Sequence, residues 1–341
     1  MQLSIKTFLK IILNTLIGLV LVLIWLHFVD IEEIFNSLQQ VNLVPVLVAC
    51  LLFFLSPIFR AIRLKIFLAP IKRIPLLDLV FLNGFAMMLN FLIPIRGGEV
   101  AKSIYLGKQY RLPIAKSVIL IFLDRFIDFL VVLILSTVLF LIIPTVLSIT
   151  AITIIIFILL IALGIIYLAI KKTDFIKKLV NFLSYFLVLN IIKIQFVHFT
   201  NLIIESLQLL KRRPQELLLL FGLTILAYGV DAGIWYLCFQ ALGSNADFIK
   251  LYFGQLLSAL TYLIPAAPGY IGSAEASGLL ILSGVLRFDK NLASAVIVLT
   301  HIITTLFIII FGVISIYFLK IDSGEILRRL DTPRSKKLSL R

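Results

Sequence analysis

Acidic residues are scarce in this 341-residue chain: 17 Asp and Glu stand against 31 Lys and Arg, and charged residues together make up 14%. Soluble domains carry about a quarter charged residues, so there is too little charge here to cover a water-facing surface. Cysteine is nearly missing as well. Cys50 and Cys238 both sit inside apolar runs, where they act as small hydrophobes and give no basis for a disulfide or a zinc site. There is no CxxC pair, HExxH, Walker A pattern or dinucleotide fingerprint. Zinc proteolysis, direct drive by ATP and dinucleotide chemistry therefore have no motif to rest on, and no cofactor or metal is expected.

What the chain has in abundance is apolar surface. Hydrophobic residues make up 62% and mean hydropathy is +1.16, which predicts an all-α, polytopic integral membrane protein. Six full crossings are expected near 7–28, 43–59, 117–143, 149–170, 216–241 and 291–319. Two further segments, 76–111 and 251–286, are apolar but interrupted by proline and paired glycine, and read as broken or re-entrant hairpins. The first apolar run, after Lys6 and Lys10, is too long for a signal-peptide core and is expected to stay as an anchor.

Formal net charge is +14. The basic residues flank apolar spans, which points to anionic headgroups of the cytoplasmic leaflet and not to nucleic acid. By the positive-inside rule both termini are cytoplasmic, in a multi-pass protein of the cell membrane. Arg60, Arg63, Lys65, Lys72 and Arg73 read as the cytoplasmic flank of the second crossing. Asp30, Glu32 and Glu33 read as an outer loop. The parity closes if hairpin 76–111 opens to the cytoplasm and hairpin 251–286 to the outside. Between them, 173–213 mixes lysines with short apolar runs and reads as interfacial amphipathic helix.

The two interruptions resemble each other. LNFLIP at 89–94 runs into IRGGEVAK, and LTYLIP at 260–265 runs into AAPGYIGSAE. Glu99 lies 26 residues before Arg125, and Glu275 lies 26 before His301. The chain thus divides into a first span and outer loop (1–42), repeat one (43–143), a span with interfacial linker (144–215), repeat two (216–319) and a basic cytoplasmic tail (320–341). With the orientation above, the repeats are inverted, an arrangement that brings broken helices together near the midplane of a transporter.

Ionisable groups inside apolar segments cost about 2.5–3.5 kcal/mol each on insertion scales and should face partners in the bundle. Asp78, Arg96, Glu99, Asp124, Arg125, Asp128, Asp231, Glu275 and His301 are such groups. In DRFID, Asp124 and Asp128 share one helix face and Arg125 reaches Asp128. Arg125 could equally take Glu99 or a phosphate, and Asp231 reads either as a supporting partner of the site or as a structural carboxylate.

In order, NFLIPIRGGEVAK, DRFID and PGYIGSAE resemble the signatures of the lysylphosphatidylglycerol synthase transmembrane-region family, the flippase-like domain of bacterial multiple peptide resistance factors, over nearly the whole chain. The resemblance implies a single flippase-like domain over 1–341. Its implied substrate-binding positions are Asn90, Arg96, Gly98, Glu99, Asp124, Arg125, Asp128, Gly269, Gly272 and Glu275, with His301 where the family commonly has arginine. Tyr270 stands where a second glycine is usual. The synthase's soluble aminoacyl-transferring domain is not expected here, so lysyl transfer is not implied. The expected function is translocation of an anionic phospholipid or a polyprenyl-phosphate-linked lipid, transporter-like and not enzymatic, with membrane lipids as partners and a homo-oligomer compatible with the sequence. Two alternatives stay open: a polytopic membrane enzyme, such as a glycosyltransferase or lipid-modifying enzyme, and a non-transporting component of a lipid-synthesis complex.

Overall fold

A computed structural model describes residues 5–93, 97–143, 149–184, 214–261 and 267–321. Every regular element among them is helical. In chain order these are α1 (Ile5–Phe28), α2 (Ile31–Gln39), α3 (Leu43–Leu52), α4 (Leu55–Leu68), α5 (Leu76–Leu92), α6 (Gly97–Tyr110), α7 (Ile114–Ile142), α8 (Ile149–Lys171) and α9 (Thr173–Ser184). After the linker come α10 (Pro214–Ala241), α11 (Phe248–Thr261), a single turn at Pro268–Tyr270, α12 (Ser273–Leu279, continuing with wider pitch to Val285) and α13 (Lys290–Phe318).

Local chemistry starts these helices where they start. Asp30 accepts from the backbone of Glu32 and Glu33 at the head of α2, Asn42 from Val44 at α3, and Asp289 from Asn291 and Leu292 at α13. Each satisfies donors that the first helical turn leaves without a partner. Pro75 and Pro113 hold extended backbone before α5 and α7. Between Phe28 and Ile31 the chain turns nearly a right angle, so that α1 and α2 meet at 86°.

The structure corrects one expected boundary. The second crossing does not end at residue 59: α3 and α4 together run Leu43–Leu68, 26 residues long and apolar enough to span. Gln215–Ala241 and Lys290–Phe318 also meet that criterion among the described residues, and α1 with α2 meets it as a bent pair. Helices α7 and α8, of 29 and 23 residues, cover the other two expected crossings. Aliphatic side chains such as Leu47, Leu51, Leu218, Ile302, Leu306 and Val313 point outward and exposed, the reverse of a water-soluble surface. Of the expected interfacial stretch, α9 is described and 185–213 lies outside the described residues.

The two interrupted segments are helix pairs, α5–α6 and α11–α12, and they hold the bundle together. Leg α5 packs along α13, and α11 packs along α7. The α5–α13 crossing is close because small residues face it. A Cβ on Gly84 would lie 2.4 Å from Ser315 Oγ, and one on Gly312 would lie 2.5 Å from Met88 Cβ. Intimate contact of this kind is what associates helices when lipid removes the hydrophobic drive.

Helix boundaries repeat along the chain. α3 and α10 begin 171 positions apart, at Leu43 and Pro214. Past the breaks the offset becomes 176: α6 and α12 begin at Gly97 and Ser273, and α7 and α13 run Ile114–Ile142 and Lys290–Phe318, both 29 residues. The five extra positions fall between the LIP of each hexapeptide and the helix that follows it, Gly97 in one case and Ser273 in the other.

Candidate functional site

The breaks meet. Phe91, at the end of α5, places its ring 5.7 Å from that of Tyr270, edge to face, and its tip also faces Gly269. Pro94 and Arg96 of the first break, and 262–266 of the second, lie outside the described residues. In the first break the side-chain oxygen of Asn90 accepts the Gly98 N–H at 2.8 Å. Gly98 has no room for a side chain, since a Cβ would lie 2.3 Å from the Ala86 carbonyl oxygen. Asn90 and Gly98 therefore clamp the two legs of hairpin one together.

Beside this hairpin lies a charge network built from four helices. Arg63 of α4 is wholly buried. One terminal nitrogen donates to Asp128 Oδ1 and, at 2.8 Å, to Thr224 Oγ1; the other donates at 2.7 Å to both the carbonyl and Oδ1 of Asp124. Arg125 takes the opposite oxygens, Asp124 Oδ2 at 2.6 Å and Asp128 Oδ2 at 3.5 Å. Two guanidinium groups and two carboxylates thus alternate around a square, with every carboxylate oxygen engaged. Arginine's planar fork makes such two-sided pairing feasible.

Two further pairs extend it. Lys102 Nζ lies 3.1 Å from Glu99 Oε2 one turn along α6. Arg60 NH2 lies 2.8 Å from Asp231 Oδ2 of α10, with its guanidinium carbon 6.0 Å from the Tyr228 ring centre. Arg60 and Asp231 are themselves 171 positions apart, so corresponding positions of the two segments bond to each other. The eight groups balance, four cations to four anions. Exposure ranks the cations: the Arg125 side chain is 35% exposed and Arg60 23%, against 8% for Lys102 and 0% for Arg63.

In the second break Glu275 does a different job. Its Oε2 accepts the Gly272 N–H at 2.7 Å, and its Oε1 lies 2.5 Å from His301 Nδ1. His301 Nε2 lies 2.8 Å from the Gly269 carbonyl oxygen. Gly269 and Gly272 have φ of +70° and +78°, backbone that glycine adopts without penalty. Gly272 also seats α1: a Cβ there would lie 2.0 Å from the Gly18 carbonyl oxygen.

Of the residues expected at the site, the structure gathers Glu99, Asp124, Arg125 and Asp128 around the network, and Gly269, Gly272, Glu275 and His301 around the second break. Asn90 and Gly98 lie at the first break, and Arg96 is outside the described residues. Arg60 and Arg63 are a correction. They do not flank the bundle at its cytoplasmic edge but lie inside it, because α4 continues for another turn and more and Asp124, Asp128 and Asp231 need counter-charges. Two signals could have found them: the apolar IFL at 66–68 beyond them, and the spacing of Arg60 from Asp231.

A model of the family described as "Lysylphosphatidylglycerol synthase TM region" matches residues 11–312. The chain belongs to this family. It is also 28% identical over 125 residues to a protein of Archaeoglobus fulgidus described as "UPF0104 membrane protein". That match covers 37% of this chain and 38% of the relative, so the chain spans well under half of the relative it matches.

Proposed function

We propose that this protein translocates lipids bearing an anionic headgroup, an anionic phospholipid or a polyprenyl-phosphate-linked lipid, between leaflets of the cell membrane. The observation that carries the reading is the charge network: eight compensated charges in an apolar bundle, with Arg125 the most open of its four cations, beside a broken hairpin. A charge-balanced network costs the fold least, and counting Arg96 brings the formal charge of the region to +1. A phosphate is the ligand that balances that surplus, with Arg125 as one cation for it and Arg96, three residues before Glu99 in the sequence, as the second. Glu99 and Lys102 adjoin this position, and Asn90 with Gly98 hold the hairpin that carries it.

The repeating helix boundaries support a repeat, and the distribution of lysine and arginine is our ground for reading it as inverted, with both termini cytoplasmic and the hairpins entering from opposite faces. Rocking of one unit against the other would then expose the site alternately to each leaflet. An enzymatic reading is less favoured: it needs Asp124 and Asp128 as a free base or metal pair, and both carboxylates are bonded to arginines. The test is mass spectrometry of lipids that copurify with wild type and with Arg96→Ala. One anionic lipid class is expected to be enriched on wild type and depleted at least about tenfold on the variant, the loss of one charge-assisted pair. Identical lipid profiles would count against the reading.

A further inference from the structure

The two breaks present their glutamates to different kinds of partner. Glu99 faces Lys102, and its network also holds Arg125, an arginine whose charge does not titrate at neutral pH. At the corresponding offset of 176 positions, Gly278 stands for Lys102 and His301 for Arg125. Among the described residues Glu275 is therefore left with one cationic partner, and that partner titrates.

The geometry around His301 restricts which protonation states fit. Gly269 offers a carbonyl oxygen, which can only accept, so Nε2 must carry a hydrogen. Nδ1 then lies 2.5 Å from a carboxylate oxygen, a separation that requires a second hydrogen between them. Either the imidazole is doubly protonated against a carboxylate, or a neutral imidazole meets a protonated Glu275. In both descriptions the pair holds one exchangeable proton. When that proton leaves to water, the Nδ1 lone pair faces a carboxylate oxygen, and the contact changes from attractive to repulsive.

We infer that Glu275 and His301 form a proton-binding site that latches the turn at Pro268–Tyr270 and the start of α12 to α13, with the proton as the ligand whose binding and release fasten and free them. This rests on the translocation reading in naming the proton as the ion that drives the cycle. The latch itself stands on geometry alone. The protonated pair ties together three points: Gly272 through Glu275 Oε2, Gly269 through His301 Nε2, and α13. Gly272 in turn seats α1 at Gly18, so loss of the proton loosens α1 as well.

Other charged and titratable groups on the helices around α13 are directed elsewhere among the described residues. Asp78 of α5 bonds Tyr110, Glu33 of α2 bonds Asn291, and Asp231 of α10 pairs with Arg60. Cys238 of α10 lies beside Thr300, one residue before the histidine, and the Tyr270 ring of the break meets Phe91 edge to face. Glu32 of α2 lies at that helix's exposed start.

The experiment uses the full chain in nanodiscs, with ¹⁵N-labelled histidine and with His27 and His198 replaced by glutamine so that only His301 reports. The His301 ring is expected to be doubly protonated at low pH and to lose one proton in a single step. Glu275→Gln should lower the midpoint by at least about one pH unit, since it removes the facing carboxylate. Hydrogen exchange of 268–279 should speed up at least tenfold above the wild-type midpoint and stay slow throughout in His301→Arg, whose fixed charge keeps the latch closed. A neutral His301 across pH 5–9 beside a Glu275 that stays ionised throughout, a midpoint unmoved by Glu275→Gln, or exchange that ignores the midpoint would each overturn the latch. Titration and exchange as expected, with no lipid movement at any pH, would uphold the proton site and sink the translocation reading instead.

Discussion

Replacing Arg63 with alanine removes the one wholly buried cation of the network and leaves four defects at once. Asp124 loses the partner of Oδ1 and of its backbone carbonyl, Asp128 loses the partner of Oδ1, and Thr224 loses a donor. Arg125 would then face two carboxylates alone, and the four-to-four balance would become three to four. Removing one partner of a buried ion pair costs about 3–5 kcal/mol, because the remaining charge stays buried without compensation. At roughly 2 °C per kcal/mol for a chain of this size, the midpoint of thermal unfolding in detergent should fall by about 6–10 °C. The origin of that loss can be isolated. Asp128→Asn in the Arg63→Ala background removes the surplus negative charge and should recover about 1–3 kcal/mol, although on its own it destabilises. Arg63→Lys should fall between wild type and alanine, keeping the charge but losing the fork. Size-exclusion-monitored melting of the four variants reads all of this. An Arg63→Ala midpoint within about 1 °C of wild type, or a double variant less stable than the single by the sum of both losses, would refute the reasoning.

Charge reversal tests the pair at corresponding positions: Arg60→Asp should destabilise strongly, and adding Asp231→Arg should restore more than half of the lost melting temperature. Gly272→Ala should undock α1, because its Cβ meets the Gly18 carbonyl and its φ is positive; hydrogen exchange of 15–28 would rise while that of 76–92 stays unchanged. Gly84→Val should overpack the α5–α13 crossing, where even a Cβ falls 2.4 Å from Ser315 Oγ, and cost about 1–3 kcal/mol in thermal unfolding.

How much of this was legible in the sequence differs from element to element. Proline and paired glycine break helices by fixed backbone chemistry, so both hairpins could be placed from LNFLIP and LTYLIP, and the equal Glu–Arg and Glu–His spacings related them. The DRFID face was legible for the same reason: helical periodicity alone puts Asp124 and Asp128 together. Arg60 and Arg63 misled because a cluster of basic residues after an apolar run looks like a membrane edge. Only the partner carboxylates on α7 and α10, far away in sequence, show that it lies inside. The seat of Gly272 on Gly18 was beyond the sequence altogether, since it joins residues more than 250 positions apart and involves a backbone carbonyl that carries no sequence signal. The His301 latch was half legible: the histidine was conspicuous where the family has arginine, but its dependence on Gly269 and Glu275 together is a matter of three-dimensional geometry.

The most direct test of the central claim is a leaflet assay. The purified protein is reconstituted into vesicles that contain a trace of headgroup-labelled anionic phospholipid, and an impermeant quencher reports headgroups that reach the outer leaflet. Wild type is expected to speed crossing well above protein-free vesicles, with Arg96→Ala and Arg125→Ala at least about tenfold slower while remaining folded. Crossing by wild type no faster than in empty vesicles, across phospholipid and polyprenyl-phosphate probes alike, would contradict the account.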